Sequence, residues 1–138
     1  MRIRRFLTGA IVPVLFAAAC GSAASTVDGY RSVTVSEAKP MVDAAYSQFV
    51  DVRTADEFKS GHAPRSRNIP LDTLAANLDL LEKNETVILI CRTDNRSRQA
   101  AELLHRNGFK DVVVVRGGMN AWTEAGFPIV RDDDEQKK

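Results

Sequence analysis

The chain has 138 residues, 44% hydrophobic and 27% charged, which is enough apolar material for one core and too little bias for a disordered chain. The 19 Lys and Arg against 18 Asp and Glu give a net charge of +1, which becomes −2 (16 against 18) once residues 1–19 with Arg2, Arg4 and Arg5 are set aside. A nearly neutral chain offers no whole-molecule attraction to nucleic acid or to an anionic membrane, so neither class of partner is expected from charge.

Residues 1–20, MRIRRFLTGAIVPVLFAAAC, begin basic, continue apolar from Phe6 to Ala19 and end in small residues, the pattern of a secretory signal. The apolar run is too short, and too interrupted by Thr8, Gly9 and Pro13, for a membrane span of about 20 residues. Ala17-Ala18-Ala19-Cys20-Gly21 resembles a bacterial lipobox, which marks Cys20 for acylation, although Ala17 stands where leucine is usual. Ordinary cleavage after Ala19 or Ala24 is the alternative. Either route expects export to the bacterial periplasm or cell envelope, with a lipid anchor to the membrane if Cys20 is acylated. Residues 21–31, small and polar at first, read as a flexible tether. The main domain is expected over residues 32–130, and 131–138 form a charged C-terminal tail.

From Ser32 onward, short β-branched runs alternate with helical patterns, which predicts an α/β fold with a mainly parallel sheet. Strands are expected at Ser32–Val35, Gln48–Val52, Arg67–Ile69, Val87–Cys91 and Val112–Val115. The last two are continuously apolar, as strands buried on both faces are. Ala38, Met41, Val42 and Ala45 recur at helical spacing after a Ser36 cap. Thr54 and Glu57 fit a capping box, and Gly61 closes that short helix. Leu71, Leu74, Ala75, Leu78 and Leu81 predict a further helix. Ala100, Leu103 and Leu104 mark the inner side of another, ended by Gly108.

The chemistry concentrates in Ile90-Cys91-Arg92-Thr93-Asp94-Asn95-Arg96-Ser97, which passes from a buried strand into a helix. At the carboxyl edge of a parallel sheet this is where ligands bind, and a new helix presents unpaired N–H groups there. A tight loop aims those groups at one point and makes a nest for an anion. A thiolate at Cys91 would be stabilised, which lowers a thiol pKa, and Arg92 and Arg96 would add positive field. A cysteine that merely ended a strand would be followed by core residues, and these neighbours are polar or charged. Asp51, Arg53 and Glu57 are expected to pair among themselves beneath the loop. His62 is expected to satisfy backbone carbonyls, Trp122 to fill the core and His105 to lie on the surface. With two cysteines in unrelated contexts and two histidines, no metal site is expected.

The loop Cys-Arg-Thr-Asp-Asn-Arg-Ser resembles the active-site loop of single-domain rhodanese-like proteins. Asp51-Val52-Arg53 with Glu57-Phe58, Gly61-His62 and Asn68-Ile69-Pro70 resembles the family's first signature. Asn107-Gly108-Phe109 with Asp111-Val112 fits its last turn, and Gly117-Gly118-Met119-Asn120-Ala121-Trp122 with Gly126 and Pro128 its closing signature. The resemblance implies a three-layer fold with a five-stranded, mainly parallel sheet and helices on both faces. It also implies a sulfurtransferase in which Cys91 is the catalytic nucleophile and carries sulfur from thiosulfate or a persulfide to a thiol or cyanide. Arg92, Thr93, Asp94, Asn95, Arg96 and Ser97 would bind substrate. A small sulfur donor and a thiol acceptor are then the partners, with no cofactor and no oligomeric state indicated. The loop departs from the family at Asp94, where glycine is commonest. Two readings compete: a phosphatase or arsenate-reductase cradle, which needs one more residue between cysteine and arginine, and a non-catalytic binding or regulatory module.

Overall fold

The computed structural model of the chain describes residues 25–27, 29–44 and 47–131. The expected signal sequence, Cys20, Ala45 and the tail beyond Arg131 lie outside the described residues. Six strands form one sheet: β1 (Ser25–Val27), β2 (Tyr30–Val33), β3 (Ser47–Asp51), β4 (Arg67–Asn68), β5 (Thr86–Ile90) and β6 (Val112–Val115), in the order β1-β2-β6-β5-β3-β4. All neighbours are parallel except β1 and β2. The helices are α1 (Val35–Asp43), α2 (Ala55–Lys59), α3 (Leu71–Leu74), α4 (Asn95–Arg106) and α5 (Gly118–Glu124).

The central strands have two buried faces, and each face has its own helices. Val50, Val87, Leu89, Cys91, Val112 and Val114 pack against α3 and α4 through Leu74, Ala100, Ala101 and Leu104. Phe49, Ile88, Ile90, Val113 and Val115 pack against α1 and α5 through Ala38, Val42, Met119 and Trp122. This is why Val87–Ile90 and Val112–Val115 read as unbroken apolar runs. The Trp122 indole N–H donates to the Pro128 carbonyl at 2.9 Å, so its one polar atom is satisfied inside the core.

The parallel sheet of five strands is as expected, and the parts around it differ in three places. Ser25–Val27, within the expected tether, pairs with Tyr30–Val33 as an antiparallel edge strand. Gly29, just before Tyr30, has φ +85° and no room for a Cβ beside the His105 ring. The first parallel strand ends at Val33, because Thr34 rather than Ser36 caps α1, in a reciprocal box with Glu37. The helix expected through Leu81 stops after Leu74 and resumes only as a 3₁₀ turn at Leu78–Leu80. Side chains compete with the helix there: Thr73 donates to the Pro70 carbonyl and Asn77 to the Thr73 carbonyl.

Topology fixes where a ligand can sit. The chain leaves β3 outward to β4, and leaves β5 in the opposite direction to β6. The connections diverge between β3 and β5, so a crevice opens at the carboxyl ends of these two strands. Asp51 ends β3, and Cys91 follows β5 directly.

Candidate active site

Cys91 is 1% exposed and belongs to the core cluster on the α4 side of the sheet. The chain then turns through Arg92, Thr93 and Asp94 into α4. Among the described residues, none of the backbone N–H groups from Arg92 to Ser97 donates to a protein acceptor. Those of Asn95 to Ser97 are orphans of the helix start, and those of Arg92 to Asp94 belong to the loop. The strand thus delivers a buried sulfur to a loop whose donors are uncommitted.

The loop carbonyls, by contrast, are held. Met119 N–H donates to the Cys91 carbonyl at 2.7 Å and Asn120 N–H to the Arg92 carbonyl at 3.1 Å. Both donors come from the first turn of α5, which therefore clamps the loop from the other face of the sheet. The close approach depends on Gly118, at φ +53°, where a Cβ would collide with the backbone carbonyls of Cys91 and Thr93. The glycine pair was visible in the sequence as part of a family signature. Nothing in the pattern tied it to the cysteine loop.

Charges beneath the loop form two separate pairs rather than one group. Asp51, fully buried, receives Arg53 Nη2 at 2.7 Å and Nε at 3.0 Å, as well as the Arg53 backbone N–H at 2.9 Å. Arg53 Nη2 also reaches the Gly61 carbonyl at 2.8 Å, and Asn68 ties the carbonyls of Asp51 and Arg53 together. Glu57 does not join this pair as the sequence reading expected. It lies in α2, where it caps Thr54, and its two oxygens receive Arg96 Nη1 and Nη2 at 2.7 and 2.8 Å. Hydrogen bonds from Arg96, helped by Thr54 and opposed by burial, hold the Glu57 carboxyl at about 2. The Arg96 guanidinium is raised, first by its bonds to Glu57 and further by the Glu57 charge, with burial opposing.

The remaining loop side chains are placed plainly. Arg92 and Thr93 are exposed, and Asn95 is exposed with its Oδ1 3.4 Å from Gln99 Nε2. Asp94 takes φ −171°, an extended value open to any residue, so this position does not require glycine. Its carboxylate accepts from Arg98 Nη2 at 3.1 Å, one helical turn away. Ser97 is fully buried. His62 donates Nδ1–H to the Phe58 carbonyl at 3.0 Å and stacks on the Phe58 ring at 3.7 Å, which occupies it structurally. No cluster of metal-ligating side chains occurs among the described residues.

Two depressions flank the loop. One, of about 320 Å³, is lined by Arg53, Glu57, Ser60, Gly61, Arg92, Met119, Asn120, Thr123 and Ile129. The other, of about 310 Å³, is lined by Val52, Thr54, Pro70, Leu71, Asp72 and Arg96. In the first, Arg53 already serves Asp51, while Arg92 has no side-chain partner among the described residues.

A buried cysteine at the switch point of a parallel sheet, followed by a loop whose N–H groups lack protein acceptors among the described residues, sits on a three-layer α/β fold. Residues 34–125 match the family described as Rhodanese-like domain, and the chain belongs to that family. A protein of Allochromatium vinosum named Sulfurtransferase is 35% identical over 81 residues, 59% of this chain and 76% of that one. Thiosulfate sulfurtransferase 18 of Arabidopsis thaliana is 32% identical over 128 residues, covering 83% of this chain and 93% of its own length. Among solved structures, a rhodanese-related protein from Thermoplasma volcanium superposes with a TM-score of 0.66 at 33% identity, over 73% of this chain and 98% of that one. A rhodanese-like domain protein from Staphylococcus aureus does so with a TM-score of 0.61 at 40% identity, over 66% and 89%.

Proposed function

We propose that the protein is a thiosulfate-type sulfurtransferase in which Cys91 carries sulfane sulfur as a persulfide. The observation that carries this reading is that the N–H groups from Arg92 to Ser97, in the loop that follows the buried Cys91, have no protein acceptor among the described residues. Preorganised donors of this kind stabilise negative charge without having to reorganise during the reaction. Relatives whose names state sulfurtransferase activity support the choice of sulfur over other anions. So does the loop length, with four residues between Cys91 and Arg96, one fewer than the phosphatase pattern named above.

The reaction is a double displacement. The Cys91 thiolate attacks the outer sulfur of thiosulfate, a bond forms between the two sulfurs, and the original S–S bond breaks with its electron pair leaving on sulfite. An acceptor nucleophile, cyanide or a thiolate, then bonds to the outer sulfur of the persulfide. The Cys91 S–S bond breaks, and its electron pair returns to Cys91. Arg92 draws the anionic donor toward the loop, and the Glu57–Arg96 and Asp51–Arg53 pairs hold the loop's foundation.

The test combines intact mass with turnover. After thiosulfate alone, wild type is expected to gain one sulfur mass and Cys91→Ser none, with thiocyanate formed from cyanide only by wild type. A wild type that gains no mass from thiosulfate or from inorganic polysulfide would sink the reading.

The leader motif supports a second proposal, that the protein is exported and attached to a membrane through acylated Cys20. Five Cα steps separate Cys20 from Ser25, at most about 19 Å of chain, so a lipid there would keep the sheet edge close to the bilayer. Mass spectrometry of the mature N-terminus decides between diacylated Cys20 and a free, cleaved end.

A further inference from the structure

Ser97 carries the one buried side-chain polar atom among the described residues that has no hydrogen-bond partner. A serine inside the first turn of a helix ordinarily returns its hydroxyl to a carbonyl one turn earlier, here that of Thr93 or Asp94. It does not, and the Asp94 carbonyl receives only the Arg98 N–H, at 2.9 Å. Buried hydroxyls without partners are rare, and each calls for a reason.

Its place in the helix supplies one. The inward stripe of α4 is Ser97, Ala100, Ala101 and Leu104. Ala100, Ala101 and Leu104 pack into the cluster that contains Val87, Leu89 and Cys91. Ser97 lies one turn before Ala100 and Ala101, at the end of the stripe nearest the loop. Along β5 the same face runs Val87, Leu89, Cys91, so Ser97 extends toward the loop the helix stripe that packs against the strand ending at Cys91.

We infer that the Ser97 hydroxyl is a donor reserved for the Cys91 sulfur when that sulfur bears negative charge. The inference rests on the sulfurtransferase reading and assigns a part within it. During discharge the acceptor bonds to the outer sulfur, the S–S bond breaks, and the electron pair falls back on Cys91. The O–H of Ser97 then meets a charged sulfur, while no proton needs to move. Loading runs the other way, with the Cys91 sulfur losing charge as it forms the new bond. Ser97 therefore lowers the barrier to discharge far more than the barrier to loading.

The experiment uses the full chain, loaded with thiosulfate or polysulfide and then mixed with cyanide at alkaline pH, where thiol ionisation does not limit either step. Single-turnover rates of sulfite release and of thiocyanate formation are compared between wild type and Ser97→Ala. Alanine removes only the unpartnered hydroxyl, so the melting temperature is expected to hold or rise. Discharge is expected to slow roughly tenfold or more, the scale of a lost bond to a charged group, with loading nearly unchanged. Ser97→Thr, where it folds, restores the donor and much of the discharge rate. Discharge of Ser97→Ala at the wild-type rate overturns the assignment, as does a loss shared equally by both steps. A wild type that gains no sulfur mass overturns the transfer reading, and the role of Ser97 with it.

Discussion

Arg96 delivers Nη1 and Nη2 to the two carboxylate oxygens of Glu57 at 2.7 and 2.8 Å, a bidentate bond between the first turn of α4 and the first turn of α2. The sequence brings these residues together from 39 positions apart. The pair joins the cysteine loop to the segment after β3, across the crevice where the sheet connections diverge. It also withdraws most of the Arg96 charge from any incoming anion.

Glu57→Gln isolates the charge, because glutamine can still close the capping box with Thr54. The pair is partly exposed, so solvent screening limits its contribution to about 1–2 kcal/mol. Glu57 sits at about 2 in the folded protein against a usual 4.5, so the folded value is depressed. The contribution is fully present above about pH 4.5 and drains away as pH falls toward 2. Urea midpoints of wild type and variant are therefore expected to differ at pH 7 and to converge across that acid window. A difference that stays constant with pH would refute the charge argument.

Gly118→Ala tests the clamp. The added methyl meets the backbone carbonyls of Cys91 and Thr93, atoms unable to rotate away. Either the first turn of α5 withdraws or the cysteine loop shifts, and both disturb the N–H cradle. Sulfur loading is expected to fall by about a hundredfold, the scale reached when catalytic groups move by an ångström, and the melting temperature by several degrees. Gly108→Ala is the control: φ is +87° there too, but nothing lies within 4 Å of the new methyl. It is expected to cost about 1–2 kcal/mol of backbone strain and to leave loading unchanged.

What the sequence made legible was whatever one element carries alone. Val87–Ile90 and Val112–Val115 announce buried strands by composition, and Thr54 with Glu57 announces a cap by spacing. The cysteine loop declares itself by the abrupt change from apolar to polar at Cys91. Relations across elements were not legible, because no periodicity encodes them. The partner of Glu57 is Arg96 rather than Arg53, and the donors that hold the loop carbonyls come from Met119 and Asn120. Local competition hid the rest. The hydroxyl of Thr73 and the amide of Asn77 interrupt a leucine pattern that by period alone predicts a continuous helix.

Asp94→Gly addresses the departure from the family loop. Because φ is −171°, glycine relieves no strain, and it adds freedom to the unfolded chain while removing the bond to Arg98. Stability is expected to fall by about 1 kcal/mol or less. Removing one negative charge near an anion site is expected to raise kcat/KM for thiosulfate by about two- to fivefold at low ionic strength, and by little at high salt. Unchanged kinetics at low salt would mean that Arg98 already neutralises Asp94 as far as the donor is concerned.

Arg92→Ala separates attraction from chemistry. Arg92 is exposed, lacks a side-chain partner among the described residues, and lines the depression between α2 and α5. Its backbone carbonyl is held by Asn120, so truncating the side chain leaves the loop path intact. The guanidinium can guide a dianion without touching the sulfur that reacts. The variant is therefore expected to raise KM for thiosulfate by about tenfold with kcat within about twofold, and to lose most of the salt dependence of kcat/KM. Arg92→Lys keeps the charge but not the planar fork, and is expected to fall between wild type and alanine. A loss confined to kcat would mean that Arg92 acts on the transition state itself. The cradle of N–H groups would then be only part of what stabilises the transferring sulfur.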